Sequence, residues 1–444
     1  MSRKEENEQM KALRGKAAEL ENDVEQHLVD NNGLLLSALD IDTMKPFPRG
    51  YFEGMNILNY PGHTWTDFSE FMTYENVGMC TGAYLAAMVW KYRATKDPAA
   101  LAKASRTFNG IKWLFDISQE TAEGFYCKCH GGKLTEQISS DQYIYTFAGL
   151  NEFMAVAGHE ERSQCLEMIE KMVKFWMRIN YSYPYYGKPL AWPIERFPVF
   201  PWLAYHHTGK QEFLDEFNRL CAIPEVMAKI PFGNSYEDML AAQRTRGAHF
   251  DFERNSPLRH FSPIPETTES GFLSLEALLE YNAPHREAWL AKARKLLECN
   301  LPFIADDGYA MCSWLYNIES GDVSELRERL CCPEGKSEKW KFGGGLVCCL
   351  RSGMQSAMFA RACVALQRYF PDTNALATAR HVLENLSHDK MRWFADIDGK
   401  QFPDDLKWMD KVYSGDAVTH WLWAYWEAAA KYGAPENCPR IDTN

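Results

Sequence analysis

The stretch SSDQYIYTFAGL, residues 139–150, joins a polar entry and one acid to an uninterrupted apolar and aromatic run. Ser139 and Ser140 are residue types that cap helices, and Asp141 follows them in the position of a first helical turn. A carboxylate there meets unpaired backbone N–H groups and the positive end of the helix dipole. The pattern therefore predicts a buried helix that presents Asp141 at its start.

The same design recurs outward from this stretch, because each apolar helix is followed by a turn and an amphipathic helix. Apolar helices are predicted over residues 75–92, 141–157, 197–207, 269–281, 353–370 and 416–432. Amphipathic helices are predicted over residues 99–117, 160–180, 286–301 and 375–386, and residues 211–243 are expected to form one amphipathic helix or several. Residues 5–30 supply the remaining outer helix. Helices that are apolar all round belong inside a fold, and one-sided helices belong outside.

Repetition at this period indicates a closed repeat architecture. We expect an all-α fold, an (α/α)6 toroid of six helical hairpins with a few short strands in its loops, one of them over residues 124–130. Residues 45–72, rich in Pro, Gly and aromatic residues, are expected to form a long loop. The domain prediction is a single catalytic (α/α)6 barrel over residues 1–444.

Composition excludes several classes of function. The net charge of −12, with no long Lys/Arg run, argues against a nucleic-acid partner. The charged start MSRKEE and the lack of a long apolar run predict neither a signal peptide nor a membrane span. We expect a cytoplasmic protein, or a periplasmic one if a signal has been removed, with reduced thiols among its 13 cysteines. A homodimer stays open as an assembly.

The pattern resembles the six-hairpin glycosidase superfamily over almost the whole chain. Chain length and the segment Ser140-Asp141-Gln142-Tyr143 are most similar to the unsaturated glucuronyl hydrolases and related glucuronidases. Those enzymes place a catalytic Asp at the start of an inner helix. The resemblance implies a cofactor-free glycoside hydrolase that acts on oligosaccharides containing glucuronic acid, saturated or 4,5-unsaturated, with Asp141 as general acid/base.

Two other branches share the toroid. Sugar epimerases rely on paired histidines, and the adjacent pair here is His206-His207. A zinc-thiolate branch of arabinofuranosidases uses a Cys-Cys pair before an inner helix, a position that resembles Cys348-Cys349. A cofactor-free epimerase or isomerase, with His206 or His207 moving the proton, and a non-catalytic carbohydrate-binding toroid therefore remain alternatives.

Parallel inner helices direct their amino ends to one mouth, so acids at the helix starts should line one pocket. These acids are Glu75, Asp141, Glu269 and Asp416. Glycoside cleavage usually takes two carboxylates, about 6.5–9.5 Å apart for inversion and about 5–5.5 Å for retention. Hydration of an unsaturated uronyl group needs a single carboxyl group, which protonates the vinyl carbon and then activates water. Acids also favour helix starts without any catalytic role.

Candidate substrate-binding residues surround these acids. Arg246, Arg259 and His260 belong to the densest basic cluster, which suits a uronate carboxylate or pairs with Asp251 and Glu253. The other candidates are polar or aromatic side chains that can bind hydroxyls or stack on sugar faces, with core packing as the alternative: Gln142, Tyr143, His206, His207, Trp65 and Trp202.

The cysteine and histidine spacing does not predict a metal site. Cys127-x-Cys129-His130, Cys331-Cys332 and Cys348-Cys349 carry residue types that bind zinc. None of them has the paired C-x-x-C spacing that identifies a zinc site, so no metal is assigned.

Overall fold

A computed structural model describes residues 3–55, 67–185, 187, 189–231, 258–261, 265–311, 314–317, 319–320, 323–325, 350–396 and 404–433. Its first nine α-helices are α1 (Arg3–Asp23), α2 (Phe68–Tyr74), α3 (Val77–Thr95), α4 (Pro98–Ser118), α5 (Ser140–Met154), α6 (His159–Arg178), α7 (Val199–Thr208), α8 (Gln211–Cys221) and α9 (Pro224–Ala228). The others are α10 (Pro265–Glu280), α11 (Arg286–Asn300), α12 (Gly353–Leu366), α13 (Ala375–Asn385) and α14 (Gly415–Tyr432).

Among the helices that the structure describes, six form an inner ring and six form an outer ring. The inner helices are α3, α5, α7, α10, α12 and α14, and each packs against neighbours in the ring, as α3 does against α5 and α14. The outer helices are α1, α4, α6, α8, α11 and α13, with α1 packed against α14. The (α/α)6 toroid expected from the repeats is confirmed, with α1 as the closing helix.

Hydrophobic patterning explains which helix takes which ring. Every residue of α12 is buried, as a helix that is apolar all round requires. In α8 the buried residues are Phe213, Phe217, Leu220 and Cys221, a stripe at helical spacing on one face. The first helix type can only sit between other helices, and the second can face water.

Short strands tie the loops and close the ring. Strand β1 (Ala38–Asp40) pairs antiparallel with β8 (Val412–Ser414), and thereby joins the segment after α1 to the segment before α14. The other strands form two small antiparallel sheets, β2-β4-β5 and β3-β6-β7. Their members are β2 (Leu258–Phe261), β3 (Ala310–Met311), β4 (Trp314–Asn317), β5 (Val323–Glu325), β6 (Leu350–Ser352) and β7 (Ala395–Asp396).

Connection length differs between the two ends of the toroid. At the carboxyl ends of the inner helices the connections are short: Lys96 and Asp97 alone join α3 to α4. Lys96 takes a left-handed conformation and the Asp97 side chain accepts from the Ala99 N–H, so this turn stops one helix and caps the next. Long segments such as 119–139 lead into the amino ends of the inner helices. Long loops carry function more often than tight turns.

Two predicted segments differ in the structure. Residues 124–130 form no strand, because the N–H groups of Gly124, Tyr126 and Cys127 donate to side chains instead of to a neighbouring strand. The loop 45–72 contains α2 at its end, and residues 56–66 lie outside the described residues. Residues 211–243, expected to form one amphipathic helix or several, begin with α8 and α9, which Pro224 opens, and the last part of this range also lies outside the described residues. Within the described ranges, none of the helices combines the length and hydropathy needed to cross a membrane.

Candidate active site at the amino-terminal mouth

The amino ends of α3, α5 and α14 meet at one mouth of the toroid. The Asn76 side chain donates from Nδ2 to Asp416 Oδ2 at 3.0 Å, which joins α3 to α14. Gln142 donates from Nε2 to the Glu75 carbonyl oxygen at 3.2 Å, which joins α5 to α3. Glu75, Asp141 and Asp416, predicted to share a mouth, therefore lie at the converging starts of neighbouring helices.

Glu75 is held as a carboxylate by two partners from the 119–139 loop. Lys128, which is buried, forms an ion pair with Glu75 Oε1, and His130 Nε2 lies 3.1 Å from Glu75 Oε2. Burial opposes ionisation of Glu75, but the Lys128 charge and the His130 hydrogen bond hold the pKa of its carboxyl below the usual value. An ionised carboxylate in this arrangement serves to position Lys128 and His130.

Asp416 is also engaged within the protein. Its side chain is 1% exposed, and the Cys80 thiol donates to Oδ1 at 3.1 Å while Asn76 donates to Oδ2. Burial and the Asp416 charge raise the pKa of the Cys80 thiol well above its ordinary value, so Cys80 remains a donor. Ser414 caps α14 through the Ala417 N–H, which frees Asp416 to link helices.

Asp141 differs from Glu75 and Asp416 in its exposure and in its contacts. Its side chain is partly exposed, and no hydrogen bond or ion pair joins it to another residue that the structure describes. Two cations among the described residues are close enough to interact with its charge. Burial lowers the pKa of Lys128, but Glu75, then Tyr185 and Asp141, outweigh burial and raise it above its ordinary value. Burial lowers the pKa of Arg196, and Asp141 opposes that lowering. Arg196 donates from Nη1 to Ser140 Oγ at 3.2 Å, beside the start of α5.

The mouth therefore presents the partly exposed carboxylate of Asp141 beside the partly exposed guanidinium of Arg196, with the buried ammonium group of Lys128 nearby. The Lys128 Nζ also lies 5.9 Å from the centroid of the Tyr185 ring, which brings an aromatic side chain from the 179–198 loop to the same place. A carboxylate at such a position can give or take a proton from a bound molecule, and Arg or Lys can bind an anionic substituent.

Gln142 and Tyr143 lie behind Asp141 rather than on the surface of the mouth. Gln142 is 1% exposed and bonds across to α3, as described above. Tyr143 is fully buried, and its hydroxyl oxygen accepts from the Tyr126 N–H at 2.8 Å. The structure uses both side chains to attach the 119–139 loop and α3 to α5.

Glu269 is one turn inside α10, because that helix begins at Pro265 rather than at the predicted start. Its carboxylate is 1% exposed and lies 3.5 Å from Nη1 of Arg361 on α12. Burial raises the pKa of Glu269 well above its ordinary value, although the Arg361 charge opposes the rise. Glu269 borders a small crevice with Thr268 and Gln355, and no described contact joins it to Asp141.

The structure places His206 and His207 at the opposite end of the toroid. Both lie in the last turn of α7, where the His206 ring packs 4.2 Å from the Tyr281 ring and His207 Nε2 lies 2.8 Å from Asn151 Oδ1. Trp202, 7% exposed, packs against Phe217 of outer helix α8. Neither histidine shares the mouth with Asp141, and Trp202, in the first turn of α7, is packed towards the outer helix.

The other candidates comprise residues outside the described ranges, two residues of strand β2 and two buried cysteines. Trp65 and Arg246 lie outside the described residues, as do Cys331-Cys332 and Cys348-Cys349. Arg259 and His260 lie on β2, where the backbone pairs with Tyr316 and Leu315 of β4. Cys127 and Cys129 are buried free thiols, and the described part of the chain contains no cluster of three or more potential metal ligands.

Sequence reasoning missed Asn76, Lys128 and Arg196. A usable signal exists for Lys128, which stands alone in the otherwise uncharged segment Tyr126-Cys127-Lys128-Cys129. A buried cation requires a paired acid, so this pattern predicts an internal ion pair even though its partner cannot be named. No comparable local signal marks Asn76 or Arg196.

Comparison with known proteins identifies the fold. No family model and no curated protein matches the chain. A solved sugar epimerase from a ruminal bacterium matches with a TM-score of 0.50 and 11% identity over 92% of this chain and 98% of its own. A cellobiose 2-epimerase from Bacillus thermoamylovorans B4167 has a TM-score of 0.48 and 11% identity over 93% of this chain and 98% of its own.

An unsaturated glucuronyl hydrolase specific for heparin has a TM-score of 0.48 and 9% identity over 95% of this chain and 96% of its own. Identities this low bear on the fold alone. Together with the two rings of helices, the likeness to the sugar epimerase identifies this chain as a six-hairpin (α/α)6 toroid.

Proposed function

We propose that this protein is a carbohydrate-active enzyme, a glycoside hydrolase of the glucuronidase or unsaturated glucuronyl hydrolase type. One observation carries the proposal: Asp141 offers a partly exposed carboxylate at the start of an inner helix, with no partner among the described residues and with Lys128 and Arg196 close by. Arg196, which is partly exposed, suits the carboxylate of a uronic acid, while Lys128 is buried in its pair with Glu75 and adds positive charge beneath the mouth. Solved toroids in this fold include enzymes described as an unsaturated glucuronyl hydrolase and as a family 76 glycoside hydrolase.

The state of the other acids favours a mechanism with a single carboxyl group. Glu75 and Asp416 accept from internal donors, and Glu269 is buried against Arg361. In the hydration of a 4,5-unsaturated uronyl group, protonated Asp141 gives its proton to the vinyl carbon C4. The resulting carboxylate takes a proton from the water that adds at C5, so Asp141 is restored and one water is consumed. The hydrated sugar ring then opens and releases the rest of the saccharide.

Replacement of Asp141 tests the role of its carboxyl group. We expect Asp141→Asn to lower kcat on a 4,5-unsaturated glucuronide by about 100-fold or more, because the amide cannot transfer the proton. Loss of the enol-ether absorbance measures hydration, and free glucuronate from a saturated glucuronide measures ordinary hydrolysis. Asp116→Asn, which removes an exposed carboxylate on outer helix α4, is the matched control and should retain activity.

Two results would contradict this proposal. Undiminished turnover by Asp141→Asn would remove Asp141 from the chemistry. Failure of the folded wild-type protein to act on either glucuronide would argue against the substrate class.

A sugar epimerase is a second candidate, favoured by the contact between His130 Nε2 and Glu75 Oε2 at the mouth. A carboxylate that orients an imidazole is the usual arrangement of a histidine base. This candidate differs from a reaction at His206 or His207, which lie at the other end of α7. Incubation of free aldoses in deuterium oxide separates the two candidates, because an epimerase incorporates deuterium next to the carbonyl carbon and the hydratase does not.

A further inference from the structure

A second cavity lies at the end of the toroid opposite Asp141. It has a volume of about 280 Å³ and lies between the carboxyl-terminal parts of α3, α5, α10, α12 and α14. Its polar lining consists mainly of the charged residues Arg93, Glu152, Glu276, Glu280, Arg361 and Lys431. A barrel interior filled only for packing would be lined by apolar side chains, so this lining requires a separate explanation.

Each cationic side chain that lines the cavity contacts both a carboxylate and an aromatic ring. Arg93 bonds through Nη1 to Glu152 Oε2 at 2.5 Å, and its guanidinium lies 4.3 Å from the centre of the Trp90 ring. Arg361 pairs with Glu276 and lies 3.9 Å from the centre of the Trp423 ring. An aromatic face and a carboxylate together fix the direction of each guanidinium. Arg93, whose side chain is partly exposed, carries more N–H donors than Glu152 accepts.

The remaining cations of the lining also contact one carboxylate and one aromatic ring each. Lys431 Nζ lies 2.5 Å from Glu427 Oε1 and 4.9 Å from the centre of the Trp90 ring. Arg368, which also borders the cavity, pairs with Glu280 and lies 4.7 Å from the centre of the Tyr369 ring. The cavity is therefore surrounded by a fixed array of donors and acceptors.

Charge balance in this array indicates the class of ligand. Every cation that borders the cavity is matched by a carboxylate, so neither an anion nor a cation gains a large net attraction. A hydroxyl group both donates and accepts a hydrogen bond, and alternating guanidinium and carboxylate groups serve both needs. The volume holds about nine waters, which corresponds to one sugar ring rather than to a long chain.

We propose that this cavity is a second binding site, which takes a single uncharged sugar ring at the end of the toroid opposite the candidate active site. This inference goes beyond the proposed function, since it concerns binding without turnover. Its test uses a direct binding measurement, so it can succeed or fail whether or not glucuronides are cleaved.

The test is calorimetric titration of the full chain with mannose and glucose, and with glucuronate and inorganic phosphate as charged probes. Ala277→Phe fills the cavity from α10 without removing a charged group. We expect it to weaken mannose or glucose binding by about tenfold or more. Ala102→Phe, at an exposed position of outer helix α4, is the matched control and should bind as the wild type does.

Hydrogen exchange locates the bound sugar. The proposal requires slower exchange in residues 148–155 and 273–281 at saturating sugar. It is overturned if neither sugar binds at millimolar concentration, if phosphate or glucuronate binds this cavity more tightly, or if only segments at the mouth are protected. If Ala277→Phe does not fold, as judged by circular dichroism, Ala155→Leu fills the same cavity from its exposed edge.

Discussion

At the scale of single residues, Arg361 is the most constrained cation in the described structure. Its side chain, 3% exposed, lies within ion-pair distance of three carboxylates, those of Glu269, Glu276 and Glu427. Because these acids come from α10 and α14, one guanidinium on α12 joins three inner helices. Such a group is tolerated in the interior because its charge is matched, and the same acids become costly when it is removed.

Replacement of Arg361 with Met should therefore destabilise the protein strongly. We expect a loss of about 3–5 kcal/mol in the free energy of unfolding, because buried carboxylates remain without a counter-charge. Urea titration followed by circular dichroism measures the loss. Lys112→Met removes an exposed partner of Asp116 and should cost less than about 1 kcal/mol. Equal losses in the two variants would contradict the interpretation of the Arg361 cluster.

His207 gives the protein a pH dependence with a definite sign. Burial, then the nearby charges of His206 and Arg162, lowers the pKa of His207 to about 4, against about 6.5 for an unfolded chain. The unfolded chain therefore binds this proton first, so stability contributed by the neutral ring is complete above pH of about 6.5 and is lost as pH falls towards about 4.

We expect the melting temperature of His207→Gln to fall less than that of the wild type between neutral pH and pH of about 5, because the variant lacks the group that takes up the proton. Thermal unfolding at both pH values measures the difference. His159→Gln, at the exposed start of α6, keeps His207 and should keep the wild-type pH dependence. Parallel curves for His207→Gln and wild type would rule out this assignment.

At the scale of elements, the crossing of α3 and α5 depends on two glycines. A Cβ atom placed on Gly149 would lie 2.5 Å from the carbonyl oxygen of Gly82 and 2.9 Å from its Cα. A Cβ on Gly82 would in turn meet the carbonyl group of Tyr145. The two backbones therefore touch, and this contact holds the starts of α3 and α5 at the same mouth.

Gly149→Ala should separate these helices. We expect it to destabilise the protein by about 1–3 kcal/mol, the usual cost of overpacking, even though alanine favours helices. Gly15→Ala in α1, where no atom lies within 4 Å of the added Cβ, is the control and should stabilise by about 0.5–1 kcal/mol. Chemical denaturation gives both values, and stabilisation by Gly149→Ala would show that the crossing is looser than described.

At the scale of the whole molecule, the ring is closed by contacts between residues far apart in the sequence. Lys16 on α1 donates from Nζ to the carbonyl oxygens of Leu383 and Glu384, each at 2.9 Å. Glu21 on the same helix pairs with Lys91 on α3 and Lys103 on α4. Helix α1 therefore connects the last hairpin to the first, and without it both would expose apolar surface.

Loosening α1 should weaken the entire toroid. Leu20→Ala removes a fully buried side chain of α1, and we expect a loss of about 2–5 kcal/mol in one cooperative transition. Far-ultraviolet and near-ultraviolet circular dichroism should give the same midpoint. Arg14→Ala, at an exposed position of α1, should change little. Two separate transitions in Leu20→Ala would mean that α1 unfolds on its own.

Local pattern in the sequence was enough to determine the alternation of inner and outer helices, the turn between the helices predicted over 75–92 and 99–117, and the place of Asp141 at the start of an inner helix. Hydrophobic periodicity and capping act over a few residues, so they can be read without the fold. The sequence also implied that the starts of the inner helices converge, because that follows from the toroid itself.

Only the tertiary structure decided which acids are free and which are engaged. The pairs Glu75–Lys128 and Asp416–Asn76 join residues far apart in the sequence, and periodicity carries no information about such partners. The direction of α7 placed His206 and His207 at the far end, and an earlier start of α10 buried Glu269. Side-chain chemistry is local, but access, pairing and the charged cavity arise from how the helices pack around the ring.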